Sequence, residues 1–234
     1  MKTACRSIFV AGTDTGAGKT LVTGMLARMW AENGIKTVTQ KWVQTGCKTE
    51  SAEDIYTHME LMKTDKDLDP ENRRVPYRFK FPASPHLAAH IENKTVETNL
   101  IKESFFSLQK QFEMILIEGT GGVMVPLNED KLIIDVVKEL NLPVLVVAEN
   151  RLGAINQTLL TIEVLKTRNI RIVGTIFNQV SEKENEIILK DNMQIVEKMS
   201  GIKVLGKLDY YKDKDMLYEK FKPMGEKLVS QFFG

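Results

Sequence analysis

Residues 8–20, Ile-Phe-Val-Ala-Gly-Thr-Asp-Thr-Gly-Ala-Gly-Lys-Thr, constrain the fold more than any other stretch of this chain. An apolar run reads as a buried strand, Gly12, Gly16 and Gly18 follow, and Lys19-Thr20 opens a helical pattern. A strand–loop–helix corner of this kind turns backbone N–H groups inward around an anion and aims the positive end of a helix dipole at it. Lys19 is then placed to reach the terminal phosphates, and the Thr20 hydroxyl to meet Mg²⁺. Gly12 lies one residue too far from Gly18 for the common G-x-x-x-x-G-K-[ST] spacing, so this loop is longer by a residue. A glycine-rich corner without a ligand is the plain alternative. Gly-Lys-Thr at the strand-to-helix switch favours a nucleoside triphosphate site.

Further β-branched runs at 37–41, 114–118, 144–148, 172–177 and 203–205 join the first strand at 7–11. Helical patterns at 21–33, 53–62, 97–111, 133–140, 156–168 and 185–199 separate them. Asn33-Gly34 and Asn169 mark helix ends. Short apolar runs alternating with helices indicate βαβ units on a parallel sheet. The expected fold is a single α/β domain over 1–234, a mostly parallel central sheet flanked by helices on both faces. Residues 63–84 break the pattern: they are charged, carry Pro70, Pro76 and Pro82, and show no period. Such a connection is either functional or a solvated surface excursion.

Lys+Arg 32 against Asp+Glu 31 gives a net charge of +1, which argues against a general electrostatic role on nucleic acid or anionic membranes. Cys5 and Cys47 form no metal-type spacing, and a disulfide framework is not expected, as suits a reducing cytoplasm. No signal-peptide core is visible near the start, and the longest apolar run, 142–148, falls far short of a membrane span.

Ligands of open α/β sheets bind at the carboxyl ends of the strands. Lys41 ends the second strand and either stabilises charge on a transferring phosphoryl group or simply closes the strand in solvent. Glu118 ends the third and opens Glu-Gly-Thr-Gly-Gly, where a carboxylate suits Mg²⁺ and glycines allow close backbone approach. Asp54 is a second candidate carboxylate or only a first-turn acid favoured by the helix dipole. Asn178 either reads a base edge or caps a turn. His86 and His90, four apart, find no third ligand and read as surface or packing residues, as Trp42 reads as packing.

In chain order, the segments at 12–20, 41–46, 52–54, 84–89, 118–127 and 152–161 resemble those of the dethiobiotin synthetases, which are P-loop NTPases. They read GTDTGAGKT, KWVQTG, AED, SPHLAA, EGTGGVMVPL and LGAINQTLLT. The resemblance implies ring closure of 7,8-diaminononanoate with CO₂ and ATP, in a cytoplasmic homodimer. It implies that Thr20, Asp54 and Glu118 hold Mg²⁺, and that Gly16, Ala17, Gly18, Lys19 and Thr20 cradle the phosphates of ATP. Lys41 and Lys19 become the catalytic lysines, and Gly119, Thr120 and Gly121 join the nucleotide site. Lys41 and Thr45 face the substrate, and Leu152, Gly153 and Asn156 meet its carboxylate tail. Asn178 faces the base, with Asp209, Tyr210 and Tyr211 beside the adenosine. Trp42 stands where the family has proline, and neither the residues after Asn178 nor Asp209-Tyr210-Tyr211 follow the family pattern. A switch ATPase of the partitioning or septum-positioning type is the competing reading, but its Lys-Gly-Gly loop is replaced here by Asp14-Thr15-Gly16.

Overall fold

The structure is a computed structural model that describes residues 6–48, 52–64, 71–182 and 185–233. Cys5 and Pro70 lie outside the described residues. The chain begins with β1 (Arg6–Gly12), α1 (Lys19–Glu32), β2 (Thr37–Lys41), β3 (Val43–Gln44) and α2 (Glu53–Leu61). The segment read as irregular contains α3 (Glu71–Arg74) and β4 (Tyr77–Arg78) and runs into α4 (Pro85–Ile91). After α5 (Thr98–Gln109) come β5 (Met114–Gly122), α6 (Ile133–Glu139), β6 (Val144–Glu149), α7 (Ala154–Thr167) and β7 (Ile172–Asn178). The chain closes with α8 (Glu186–Ser200), β8 (Val204–Leu208) and α9 (Lys214–Phe233).

Six strands form one parallel sheet in the order β2-β5-β1-β6-β7-β8, and β3 pairs with β4 in a separate two-stranded parallel ladder. The apolar runs are continuous because both faces of the sheet are covered. Successive residues of β1 point to opposite faces. Ile8 and Val10 pack with Met25, Trp30 and Phe221 of α1 and α9, whereas Phe9 and Ala11 pack with Phe105, Ile134 and Val137 of α5 and α6. Ala148 and Phe177 form a smaller core with Ala154, Ile162 and Val196 of α7 and α8. Trp42 is buried, its ring 5.0 Å from that of Phe9, in keeping with a packing role.

The central position of β1 fixes the functional end of the molecule. Its neighbours β5 and β6 both run parallel to it, so the loops leaving β1, β2 and β5 open on the same edge. Register places Lys41 opposite Glu118 across β2–β5, and Gly12 opposite Gly122 across β1–β5. Two strands missed by sequence patterning, β3 and β4, continue the wall at this edge, and Thr120 fastens them by donating its hydroxyl to the Val43 carbonyl.

Candidate active site

The loop after β1 depends on glycine at two turns. Gly16 and Gly18 have φ of 82° and 95°, a region that L side chains avoid. Gly18 is also the residue on which α1 begins, and a Cβ there would fall 2.1 Å from Asn178 Nδ2. Asn178, buried at the end of β7, donates that amide to the Ala17 carbonyl at 3.1 Å and so props the loop from beneath.

Lys19 folds back over the loop. Its ammonium donates to the Asp14 carbonyl at 2.9 Å, and a Cβ on Gly12 would fall 2.7 Å from Nζ. Only 6% of the residue is exposed. Burial, followed by the nearby Lys41 cation, pulls the Lys19 pKa down to about 8 against the opposing pull of Glu118, Asp54 and Asp14. The site therefore holds two ammonium groups close enough to repel each other, an arrangement that an arriving polyanion relieves.

Lys41 is 4% exposed, which rules out the reading of a solvated lysine closing a strand. Its Nζ lies 2.8 Å from Asp54 Oδ2 and 2.8 Å from Glu118 Oε1, and it donates to the Gly119 carbonyl at 3.1 Å. Burial favours the neutral amine, but the Glu118 and Asp54 carboxylates outweigh it, raise the pKa and keep Lys41 charged. Asp54 is thus both a first-turn acid of α2 and a partner of Lys41.

Glu118 is 1% exposed and accepts on both oxygens. Oε1 receives the Thr20 hydroxyl at 2.9 Å and Lys41, and Oε2 receives His58 Nε2 at 2.8 Å. Burial alone would raise its pKa. Lys41 and His58 reverse that and hold it far below the usual carboxylate range. His58 is wholly buried, and sequence reasoning missed it. Its only sequence signal is its position four residues after Asp54, which places both on one face of α2.

The Thr20 hydroxyl and the Asp54 and Glu118 carboxylates gather around the Lys41 ammonium, which bridges the two acids. A cation is therefore already demanded where three hard oxygen donors meet. Such donors, with room left for phosphate oxygens and water, fit Mg²⁺. Among the described residues no group of three or more His, Cys, Asp or Glu side chains gathers to hold a metal by itself.

A cleft of about 680 Å³ opens above this network. It brings together Gly16, Gly18, Lys19, Thr20, Lys41, Thr45, Asp54, Glu118, Thr120 and Gly121, with Pro82–Pro85 on the far wall. The end of the irregular segment therefore faces the site. Ala17, Gly119 and Asn178 do not line the cleft. Asp209, Tyr210 and Tyr211 follow β8 farther along the same sheet edge. Leu152, Gly153 and Asn156 sit at the start of α7, also outside the cleft; Leu152 is 74% exposed and Gly153 has φ of 89°. His86 and His90 are exposed on α4, and His86 Nδ1 lies 3.1 Å from Ser84 Oγ.

Comparison with known proteins gives the family of the chain. Residues 6–215 match the AAA domain family. An ATP-dependent dethiobiotin synthetase of Chlorobaculum tepidum is 44% identical over 76% of this chain and 74% of its own length. One from Haemophilus influenzae is 37% identical over 79% of this chain and 97% of its own, and one from Methanocaldococcus jannaschii 36% identical over 91% and 98%. Among solved structures, a plasmid partition protein of Borrelia burgdorferi superposes with a TM-score of 0.61, covering 97% of this chain and 100% of its own at 13% identity. The cell-division ATPase MinD of Pyrococcus furiosus gives 0.59 at 17% identity, covering 97% and 99%. At such identities these two report the fold alone. The matches at 36–44% identity carry the assignment: the chain belongs to the family of ATP-dependent dethiobiotin synthetases.

Proposed function

We propose that this chain is an ATP- and Mg²⁺-dependent ligase that closes a ureido ring on 7,8-diaminononanoate with CO₂, giving dethiobiotin, ADP and phosphate. The observation that carries the reading is the convergence of Lys19, Thr20, Lys41, Asp54 and Glu118 on one cleft, with Thr45 on its wall. One amine captures CO₂ as a carbamate, and a carbamate oxygen attacks the γ-phosphorus of ATP, releasing ADP. The second amine then attacks the carbamate carbon and phosphate departs. These steps need positioning and charge balance and no protein nucleophile.

Each side chain has a part in that balance. The loop amides from Gly16 to Thr20 and the Lys19 ammonium bind the phosphates. Thr20, Asp54 and Glu118 would hold Mg²⁺, which when bound neutralises charge on the phosphate oxygens. Lys41, kept charged by its carboxylates, donates to the developing negative charge between carbamate and phosphoryl group. Thr45 orients the diamine. Asn178 and the Asp209-Tyr210-Tyr211 loop, which sit at the ends of the neighbouring β7 and β8, would serve the adenosine, Asn178 by propping the phosphate loop.

The exposed Leu152-Gly153 turn, with Asn156 behind it, supports a homodimer in which the positive end of the α7 dipole faces the carboxylate tail of the substrate bound to the partner. In this reading 1–234 serves as one domain acting in the cytoplasm. No helix among the described residues is long and apolar enough to cross a membrane.

The test is ATP turnover with bicarbonate, with and without 7,8-diaminononanoate, while dethiobiotin is followed by mass. The reading requires ADP and dethiobiotin in equal amounts and little hydrolysis without the diamine. Hydrolysis indifferent to the diamine, with no product, overturns it in favour of a switch ATPase.

A further inference from the structure

His58 is a buried titratable group that the proposed chemistry leaves unused. Its ring makes one polar contact among the described residues, Nε2 to Glu118 Oε2 at 2.8 Å. A carboxylate only accepts, so the ring proton sits on Nε2. Nδ1 is buried without a partner among the described residues. Leaving a buried polar atom unpaired is unfavourable, a cost an apolar residue at this position would avoid. What the imidazole gains for that cost is the hold on Glu118.

The frame around the ring is closely packed. An added Cβ on Gly24 of α1 would lie 3.3 Å from His58 Cα and 2.6 Å from Leu61 Cδ1, so the absence of a side chain there lets α2 settle directly on α1. Asp54 and His58, one turn apart, then reach the site together. Helix α2 thereby supplies one oxygen donor itself and grips a second through the imidazole.

We propose that His58 is a positioning residue that clamps Glu118 Oε2, so that the carboxylate presents Oε1 alone, in one orientation, to the bound cation. The proposal rests on the Mg²⁺ reading above. Its test uses Mn²⁺ as the probe, by electron paramagnetic resonance, on the full chain saturated with a non-hydrolysable ATP analogue.

His58→Leu and His58→Met are expected to weaken Mn²⁺ binding about 10- to 100-fold, the range for losing a partner that orients a metal ligand. Binding of the same analogue in EDTA, carried by the loop and Lys19, stays unchanged and serves as the fold control. His58→Gln, whose amide also donates, restores most of the Mn²⁺ affinity. Parental Mn²⁺ affinity in either folded apolar variant overturns the proposal. A second readout needs no variant: the slowly exchanging Nε2–H resonance of His58 is expected to persist when Mg²⁺ and the analogue bind, and its loss overturns the clamp. If the parent with the analogue binds no Mn²⁺ at all, the Mg²⁺ reading itself falls, an outcome distinct from failure of the clamp alone.

Discussion

Replacing Lys19 with methionine should make the nucleotide-free protein more stable while removing its capacity to bind ATP. The ammonium is buried, and its pKa falls from 10.5 to about 8. At about 1.4 kcal/mol per pKa unit, holding it charged at pH 7 costs the fold about 3 kcal/mol. Methionine of similar length removes that cost and gives up one hydrogen bond to the Asp14 carbonyl, worth about 1 kcal/mol. The net gain is about 2 kcal/mol, or about 4–8 °C in Tm for a chain of this size.

The pH dependence has a definite sign. Between about pH 8 and 10.5 the unfolded chain binds more protons at this lysine than the folded one, so the parent gains stability as pH rises and the variant does not. The gap between the two should be widest at and below pH 7 and close towards pH 10. The assay is urea unfolding of both proteins without nucleotide or Mg²⁺ at pH 7 and pH 10. Adding MgATP at pH 7 should reverse the order, because only the parent gains binding free energy. A variant less stable than the parent at pH 7 without ligand, or a gap indifferent to pH, refutes the reasoning.

Three other outcomes follow from the same network. Lys41→Ala strips a buried carboxylate of its main counter-charge, so turnover should collapse and the metal-free fold should lose about 3 kcal/mol in denaturant titration. Acidification removes the contribution of Glu118: its folded pKa is depressed, so that stability is complete above about 4.5 and drains away below it, and Glu118→Gln should flatten the acid limb of a Tm-against-pH curve while raising the Mg²⁺ concentration needed for half-maximal turnover. Gly18→Ala should abolish nucleotide binding in calorimetry and lower Tm, since the new methyl meets Asn178 Nδ2 and the residue must hold φ near 95°.

The sheet was legible because both of its faces are buried. The run at 37–41 coincides with β2 because nothing in it but apolar and β-branched residues and two strand-end polar groups competes for the register. The end of β5 was not legible, since Gly119-Thr120-Gly121-Gly122 carries no strand preference and is held in the ladder by its neighbour Gly12. Strands β3 and β4 are two residues each, too short for any period. Helix α9 runs over Lys214–Phe233 with Pro223 inside it, a residue that ordinarily signals a helix break.

The site divides the same way. Lys19, Thr20 and Glu118 follow from the loop and the strand-end rule. The burial of Lys41 and its double pairing depend on β2 and β5 lying side by side, and His58 depends on how closely α2 approaches α1. Neither fact is local in sequence.

The central claim is that ATP is cleaved by a substrate carbamate oxygen and not by water. Single-turnover reaction with freshly dissolved ¹⁸O-bicarbonate, ATP, Mg²⁺ and 7,8-diaminononanoate tests it directly, because the oxygen that attacks phosphorus leaves with it. The account predicts inorganic phosphate carrying one ¹⁸O atom, formed together with dethiobiotin. Phosphate without label contradicts it.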